Sequence, residues 1–251
     1  MDKMIYTSLN SINNLIRDRF NISQNLANVS VTGYRKDTGQ EQITSFVNEF
    51  DALSARVMSS KIGPNGFSNA GGAIESSGVP TDVAILNNSF MLAENAAGDI
   101  VFTRRGDLTS SLDGFLVNGE GLKILNEQLK PIALPSYQDI KISEIGEIKL
   151  DTLQTPAGVF SSYGVIASVD PENYELSKDL DGAIKSVGNS EVVPDQSGRF
   201  MQGSLEGSNV NAVEEMIASI ENQRQFEINM KLIKSAEEAS RSGSSLLKIS
   251  Q

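Results

Sequence analysis

Residues 4–29 read MIYTSLNSINNLIRDRFNISQNLANV, and this stretch decides how the chain is organised. Its aliphatic side chains recur every three or four positions with polar residues between them, which places them along one side of an α-helix. The stripe is narrow and heptad-like, so it fits a seam against another helix better than a seat on a broad core. The stripe consists of Ile5, Leu9, Ile12, Leu15, Ile16, Ile22 and Leu26.

A second long helix is predicted near the other end, from about residue 211 to 239. No Pro or Gly interrupts these residues, so nothing in them breaks a helix. Asn209 or Asn211 suits the N-cap, and Glu214 lies in the first turn, where the helix dipole favours negative charge. Its apolar stripe consists of Val213, Met216, Ile217, Ile220, Phe226, Met230, Ile233 and Ala236.

The two helices are predicted to pack outside a central body, on each other or on copies of themselves. The first helix ends at the polar link that begins with Asn28, because Gly33 can take the positive φ of a C-terminal cap or tight turn. Periodicity alone fits equally well a first helix that docks on the β body of its own chain.

The composition is that of a folded chain with one large or two small domains. Of the 251 residues, 39% are hydrophobic and 21% are charged, both ordinary values for a globular protein. No apolar run is long enough to span a bilayer, and the start of the chain lacks the pattern of a secretory signal. Cys, His and Trp are absent, which excludes disulfides, thiol catalysis and the commonest general base.

The net charge is −11, and the negative charge lies in the middle of the chain. Residues 1–36 carry a net +3, residues 37–203 a net −12 and residues 204–251 a net −2. An acidic middle argues against nucleic acid as a partner. The opposite signs of the two ends favour pairing between them, although salt screens such an attraction.

Residues 81–205 consist of short apolar runs separated by turn residues. Dipeptides such as Asp113-Gly114 and Asn118-Gly119 between such runs are typical of tight hairpin turns. The pattern predicts an all-β body of antiparallel hairpins.

Residues 37–80 are predicted as a linker or extended segment between the first helix and this body. The part from 61 to 78 is rich in Gly, Ser and Asn, which is typical of loops. Residues 43–50 fit either a strand or a short helix, and periodicity does not decide between them.

Three stretches carry a more specific signal. Residues 24–35 read QNLANVSVTGYR, residues 103–107 read TRRGD with DGFLV at 113–117, and residues 203–211 read GSLEGSNVN. In these blocks and in their order the chain resembles the flagellar axial proteins, in particular the rod proteins of the bacterial basal body. The Pro that the family usually has between Thr and Gly is missing here. The chain's length fits a rod subunit and is short for a hook subunit. Its TRRGD block and residues 224–231, which read RQFEINMK, resemble the proximal-rod members more than the distal-rod members.

This resemblance implies a structural subunit of the flagellar rod, with no enzymatic activity, cofactor or metal. It implies export, without a cleaved signal peptide, through the flagellar type III apparatus. The subunit would polymerise with copies of itself and with other rod proteins into the hollow shaft that crosses the periplasm and transmits torque from motor to hook. Neither nucleic-acid binding nor membrane insertion is expected.

The predicted fold class is α+β, with terminal helices forming a coiled-coil-like layer that flanks a mainly antiparallel all-β central domain. The predicted segments are residues 1–36, 37–80, 81–205 and 206–251. In the family, the terminal helices form the inner layer of the tube. The predicted assembly interface therefore consists of Ile5, Leu9, Ile12, Ile16, Leu26, Asn28, Val213, Ile217, Ile220, Phe226 and Ile233.

Other interpretations of single residues are weaker. Asn25, Asn28 and Asn209 are interpreted as capping and turn residues that fix how the chain leaves each helix. Arg104-Arg105 fits a surface pair or a contact to an acidic neighbour equally well.

Alternative functions find less support in the residues. Asp99, Asp107 and Asp113 lie at predicted turns without the spacing of a calcium loop, so we interpret them as turn residues. Ser208 has no His to activate it, and no carboxylate pair stands out for acid–base hydrolysis. A carbohydrate-binding module displayed on a helical oligomer remains an alternative, although the chain has few aromatic side chains for sugar stacking.

Overall fold

The computed structural model divides the chain into two compact units. The first combines Met1–Ala27, Asp37–Gly63 and Asn211–Gln251, and the second combines Asn28–Lys36 with Pro64–Val210. The fold is α+β, with mostly antiparallel sheets. The structure describes residues 2–40, 42–48, 55–61, 65–152, 156, 158–179, 181–188 and 192–249.

The first unit contains both long helices and a hairpin. Strands β2 and β3 pair antiparallel, with Gln42 opposite Lys61 and Asn48 opposite Ala55. The described part of the segment that fitted either a strand or a short helix is therefore a strand. The elements are α1 (Asp2–Ala27), β1 (Asp37–Gly39), β2 (Gln42–Asn48), β3 (Ala55–Lys61) and α2 (Ala212–Ile249).

Three predictions about the ends of the helices are confirmed, and one is wrong. Helix α1 ends at Ala27, and Gly33 in the following link has a φ of +67°. Asn211 is the N-cap of α2, because its Oδ1 accepts from the backbone N–H of Val213 at 3.0 Å. The end predicted near residue 239 is wrong, since α2 continues to Ile249. A single glycine inside a helix costs only about 1 kcal/mol, so the Gly of this segment does not end it.

Helices α1 and α2 pack antiparallel. Asn25 near the end of α1 is hydrogen-bonded to Glu215 at the start of α2, whereas Ser11 is hydrogen-bonded to Asn229. The face of α1 turned toward this partner includes the buried side chain of Leu15. The two terminal helices therefore pack on each other within one chain, although members of the predicted stripes such as Leu9, Ile16 and Ile217 remain exposed.

Each helix carries a second set of apolar side chains that this packing does not cover. Their side chains are between 41% and 63% exposed. On α1 the exposed apolar set is Leu9, Ile16 and Phe20, and on α2 it is Val213, Met216, Ile217, Ile220, Ile228, Met230 and Leu232.

No helix in the described residues is long and apolar enough to cross a bilayer.

The second unit is built from short strands joined by tight turns, with one 3₁₀ turn at Pro171–Asn173. The strands are β4 (Gly66–Phe67), β5 (Ile74–Ser76), β6 (Val83–Ile85), β7 (Phe90–Glu94), β8 (Ile100–Thr103), β9 (Thr109–Ser110), β10 (Leu116–Val117), β11 (Lys123–Ile124), β12 (Tyr137–Ile142), β13 (Glu147–Thr152), β14 (Phe160–Val165), β15 (Ser168–Val169), β16 (Leu176–Lys178), β17 (Ile184–Ser186), β18 (Phe200–Gln202) and β19 (Ser204–Glu206).

The strand order confirms the hairpins predicted from the turns. One sheet has the order β16-β17-β8-β7-β11-β10-β9, with β15 also paired to β7, and another has the order β12-β13-β14. Gly114 has a φ of +76°, as the predicted turn between β9 and β10 requires. Asn118 holds the turn between β10 and β11, because its Oδ1 accepts from the N–H groups of Glu120 and Leu122 at 3.0 Å.

The core of the second unit lies between these strands and is fully buried. Val83 of β6, Met91 of β7 and Ile148 of β13 have no exposed surface. Strand β18 pairs with β6, and β19 pairs with β5, so the end of the unit closes on its beginning. At roughly 25 cal/mol per Å² of buried apolar surface, this core carries most of the hydrophobic stabilisation.

We expect the backbone amides of α1 and α2 to exchange with solvent faster than those of β7, β8 and β13. The helices bury a partly polar face and leave apolar side chains exposed, so they open locally at a lower free energy than the strands of a dry core. Hydrogen exchange of the dilute chain, read by mass spectrometry, measures this difference. Equal protection of helices and strands would contradict it.

Candidate functional site

A buried carboxylate, that of Glu206 at the end of β19, receives two guanidinium groups. Arg35 Nη2 lies 3.0 Å from its Oε1, and Arg104 Nε lies 2.6 Å from its Oε2. The backbone N–H of Gly72 donates to Oε1 at 2.8 Å. None of the three charged residues is more than 4% exposed. Buried charges are tolerated only when they are paired and hydrogen-bonded, and this carboxylate meets both conditions.

Arg104 also binds the connection between β6 and β7. Its Nη1 donates to the carbonyls of Asn87 and Ser89, both at 2.6 Å, and its Nη2 donates to the carbonyl of Ile85 at 2.7 Å. A guanidinium has five donors in a rigid plane, and here one side chain fixes a strand end, a turn and a distant carboxylate. The guanidinium carbon lies 5.8 Å from the centre of the Phe90 ring, within cation–π range.

Burial affects the protonation of both arginines. Desolvation, followed by repulsion from Arg104, lowers the pKa of Arg35 to about 10, against the attraction of Glu206. Desolvation likewise lowers the pKa of Arg104, while Glu206 acts in the opposite direction. Since a pKa of about 10 is well above neutral, Arg35 stays charged at pH 7. The site is therefore an ion triad with two cations and one anion.

The triad joins the segment that follows α1 to the segment that precedes α2. The backbone N–H of Gly33 donates to the carbonyl of Glu206 at 2.7 Å, and that of Asn209 donates to the carbonyl of Tyr34 at 3.3 Å. A Cβ on Gly33 would lie 2.5 Å from the backbone of Arg104, and its φ is +67°. Only glycine allows this close approach.

Asn209 holds a third segment in place beside the other two. Its Oδ1 accepts from the backbone N–H of Lys36 at 2.6 Å, and its Nδ2 donates to the carbonyls of Ser68 at 3.2 Å and Ala70 at 2.8 Å. The Arg35 guanidinium also donates to the carbonyl of Ala70. A carboxamide offers one acceptor and two donors, and all three are used here.

Lys178 of β16 binds the same segment from the opposite side. Its side chain is buried, its Nζ donates to the carbonyl of Arg35 at 2.7 Å, and it lies 3.6 Å from the centre of the Tyr34 ring. We name the set formed by Gly33, Arg35, Arg104, Glu206 and Asn209 the junction.

The junction brings together all three signature blocks of the sequence. The interpretation of Asn209 as a capping residue is wrong, because it ties together three segments of the second unit. Asn25 does fix the exit from α1, since its Oδ1 accepts from the N–H of Asp37 at 2.8 Å. The contact of Arg104 to an acidic neighbour is confirmed, whereas Arg105 forms the more exposed pair, 2.8 Å from Asp107. Sequence reasoning missed Glu206, whose signal was that it is the one charged residue in a block of uncharged residues.

One of the predicted turn aspartates is held by a neighbouring arginine. Asp107 is paired with Arg105, and the described residues contain no group of three His, Cys, Asp or Glu side chains placed to hold a metal ion. The arrangement of the junction is that of a structural clamp, because its donors and acceptors are directed at one another and at backbone groups.

The residues predicted for the assembly interface fall into two groups. Leu9, Ile16, Val213, Ile217 and Ile220 belong to the exposed apolar sets of the helices. The others are more covered: Ile12 is buried, Leu26, Asn28, Phe226 and Ile233 are half-buried, and Ile5 lies in α1 at a position whose side chain is outside the described part.

We expect Glu206→Gln to destabilise the second unit by about 3–5 kcal/mol, because it leaves two buried guanidinium groups without a countercharge. Glu75→Gln is the matched control, since Glu75 is exposed on the neighbouring strand β5. Urea unfolding followed by circular dichroism measures both. Equal midpoints for the two variants would contradict the role of the triad.

Gly33→Ala should cost more stability than Gly78→Ala. Both glycines have positive φ, but a Cβ on Gly78 would meet nothing within 4 Å. The control therefore carries only the backbone strain of about 1–2 kcal/mol, and Gly33→Ala adds about 1–3 kcal/mol for the clash with Arg104. Thermal unfolding of both variants measures the difference, and equal losses would exclude the close approach.

Comparison with known proteins gives two matches to profiles of flagellar proteins. The profile described as "Flagellar hook protein FlgE/F/G D1 domain" matches residues 84–150, and the profile described as "Flagellar basal body rod FlgEFG protein C-terminal" matches residues 201–246. The first match includes Arg104, and the second includes Glu206 and Asn209.

Full-length relatives agree with these matches. The flagellar basal-body rod protein FlgF of Salmonella typhimurium and that of Escherichia coli are each 28% identical to the chain over 256 residues, and each alignment covers 100% of both proteins. The flagellar basal-body rod protein FlgG of Agrobacterium fabrum is 28% identical over 86% of this chain and 88% of its own length. The chain is therefore similar over its full length to the flagellar basal-body rod protein FlgF and over most of its length to FlgG, and it matches two domain profiles of the FlgE/F/G proteins.

Proposed function

We propose that this chain is a structural subunit of the flagellar basal-body rod that polymerises through its terminal helices. The observation that carries the proposal is the exposed apolar set on each helix of the α1–α2 pair. Side chains such as Ile16, Phe20 and Ile220 lie on the outward faces of an already paired structure, and contiguous apolar surface of this kind marks an interaction site. Covering it with copies of the chain or with other rod proteins supplies the burial that the monomer lacks.

In this proposal the terminal helices form a coiled-coil-like inner layer, and the strand-rich part of the chain lies outside it. The heptad-like spacing of the stripes supports this arrangement. The division into residues 1–36, 37–80, 81–205 and 206–251 describes the chain as it would be used in the assembly. Torque would pass from helix to helix along the shaft.

The rest of the proposal follows from the resemblance to rod proteins. The subunit would be exported through the flagellar type III apparatus without a cleaved signal peptide, and it would act in the periplasm-spanning rod. Copies of itself and other rod proteins would be its partners. No cofactor and no catalytic step is part of this role.

Within the rod, we assign the chain to the FlgF type, the proximal part of the shaft. The FlgF proteins of Salmonella typhimurium and Escherichia coli align with 100% of the chain, whereas the FlgG protein of Agrobacterium fabrum aligns with 86% of it. Agreement in length supports this assignment. Percentage identity does not distinguish the two types, because all three relatives are 28% identical to the chain. A distal-rod or hook subunit of the same family is the alternative.

Ile217→Asp tests the proposed role in a flagellated strain in which the chain replaces the native FlgF. We expect the variant to be folded and exported but non-motile, because a carboxylate on the outward face of α2 cannot be buried at an apolar contact. Val193→Asp is the matched control, since Val193 is also exposed but lies in the second unit. We expect the control strain to swim normally.

Motility and isolated basal bodies provide the readout. Normal swimming with Ile217→Asp would reject the helices as the assembly surface. Equal loss of motility in both variants would show that the helix faces are not special. Complementation of a strain that lacks FlgG, instead of FlgF, would favour the distal-rod alternative.

A further inference from the structure

The seam between α1 and α2 contains a row of polar side chains. Glu215, Asn222 and Asn229 of α2 lie seven residues apart and all take part in it. Glu215 is 3% exposed and Asn222 is 8% exposed. On α1 the side chain of Asn25 is buried as well.

Each of these α2 residues has a partner on α1. Asn25 Nδ2 lies 3.5 Å from Glu215 Oε2, and Asn229 Nδ2 donates to Ser11 Oγ at 3.2 Å. Asn222 Nδ2 donates to the backbone carbonyl of α1 at Leu15, at 3.0 Å. These contacts form three polar rungs, spaced by one heptad along α2.

We propose that the three rungs act as a register lock that also keeps the helix pair weak. Buried polar side chains at heptad positions fix the alignment of paired helices, and they do so at a cost in stability. A shift of three or four residues along α2 would move each rung away from its partner on α1. The polar group would then be buried against an apolar side chain, which is unfavourable.

The same three contacts also keep the helix pair weak. A seam of leucines would hold α1 and α2 together more tightly than amides do, but in several alignments. The rungs select one alignment and leave the pair able to open. This inference concerns the isolated chain and goes beyond the proposed function, because it holds whether or not the helices polymerise in a rod.

Asn222→Leu with Asn229→Leu tests the stability half by hydrogen exchange of the full chain. We expect the amides of α1 and α2 to exchange roughly tenfold more slowly than in the unsubstituted chain. This factor corresponds to a gain in helix-pair stability of about the size of one net hydrogen bond, because apolar packing replaces the polar contacts. Asn13→Leu makes the same chemical change at an exposed position of α1. It should slow exchange by no more than about twofold, through helix propensity alone.

Engineered disulfides test the register half, and the absence of natural cysteine leaves them unambiguous. Ser11→Cys with Asn229→Cys reports the observed alignment. Ser11→Cys with Ile233→Cys reports a shift of four residues, because residue 233 lies about 6 Å further along the helix, which together with the spacing of the two helices is too far for a disulfide in the observed alignment. With Asn222→Leu added, we expect the shifted disulfide to increase at least about fivefold.

The outcomes separate cleanly. Unchanged or faster exchange in the double leucine variant, including exchange that is faster because the helices unfold, would overturn the claim that the rungs weaken the pair. A shifted disulfide that does not increase would overturn the register lock. Neither result depends on motility, so a failure here is distinct from a failure of the rod role.

Discussion

The second unit depends on one buried carboxylate. Glu206 lies at the end of the last strand, and the two guanidinium groups that neutralise it come from parts of the chain far from it and from each other. Each partner is acceptable in a dry interior only while the others are present. The ion triad therefore makes the position of three segments mutually dependent, which dispersed apolar contacts alone would not do.

The two parts of the chain use polarity in different ways. In the strand-rich unit, polar side chains are concentrated at the junction, and the sheets around it pack through aliphatic groups. In the helix pair, three polar contacts lie between the helices, and further apolar side chains are exposed on each helix. Exposed apolar surface on helices that are already paired is typical of an interaction site. This difference supports the proposal that the helices bind further partners.

Local patterns predicted the elements, and non-local chemistry escaped prediction. The helical stripes, the Asn211 cap and the hairpin turn at Asp113-Gly114 follow from spacing and turn chemistry within a few residues. The triad joins residues more than one hundred positions apart, and no periodicity encodes such a pairing. The continuation of α2 to Ile249 lies beyond the apolar periodicity, which ends near residue 239, and one glycine is a small cost in a long helix.

The side-by-side course of the segments around Gly33 and Glu206 has a consequence for how such proteins diversify. Within the second unit these two segments lie next to each other and are joined by direct backbone hydrogen bonds. The chain between them therefore starts and ends at the same place. Such a stretch can lengthen or shrink without moving its two ends, provided that the residues that join the ends are kept.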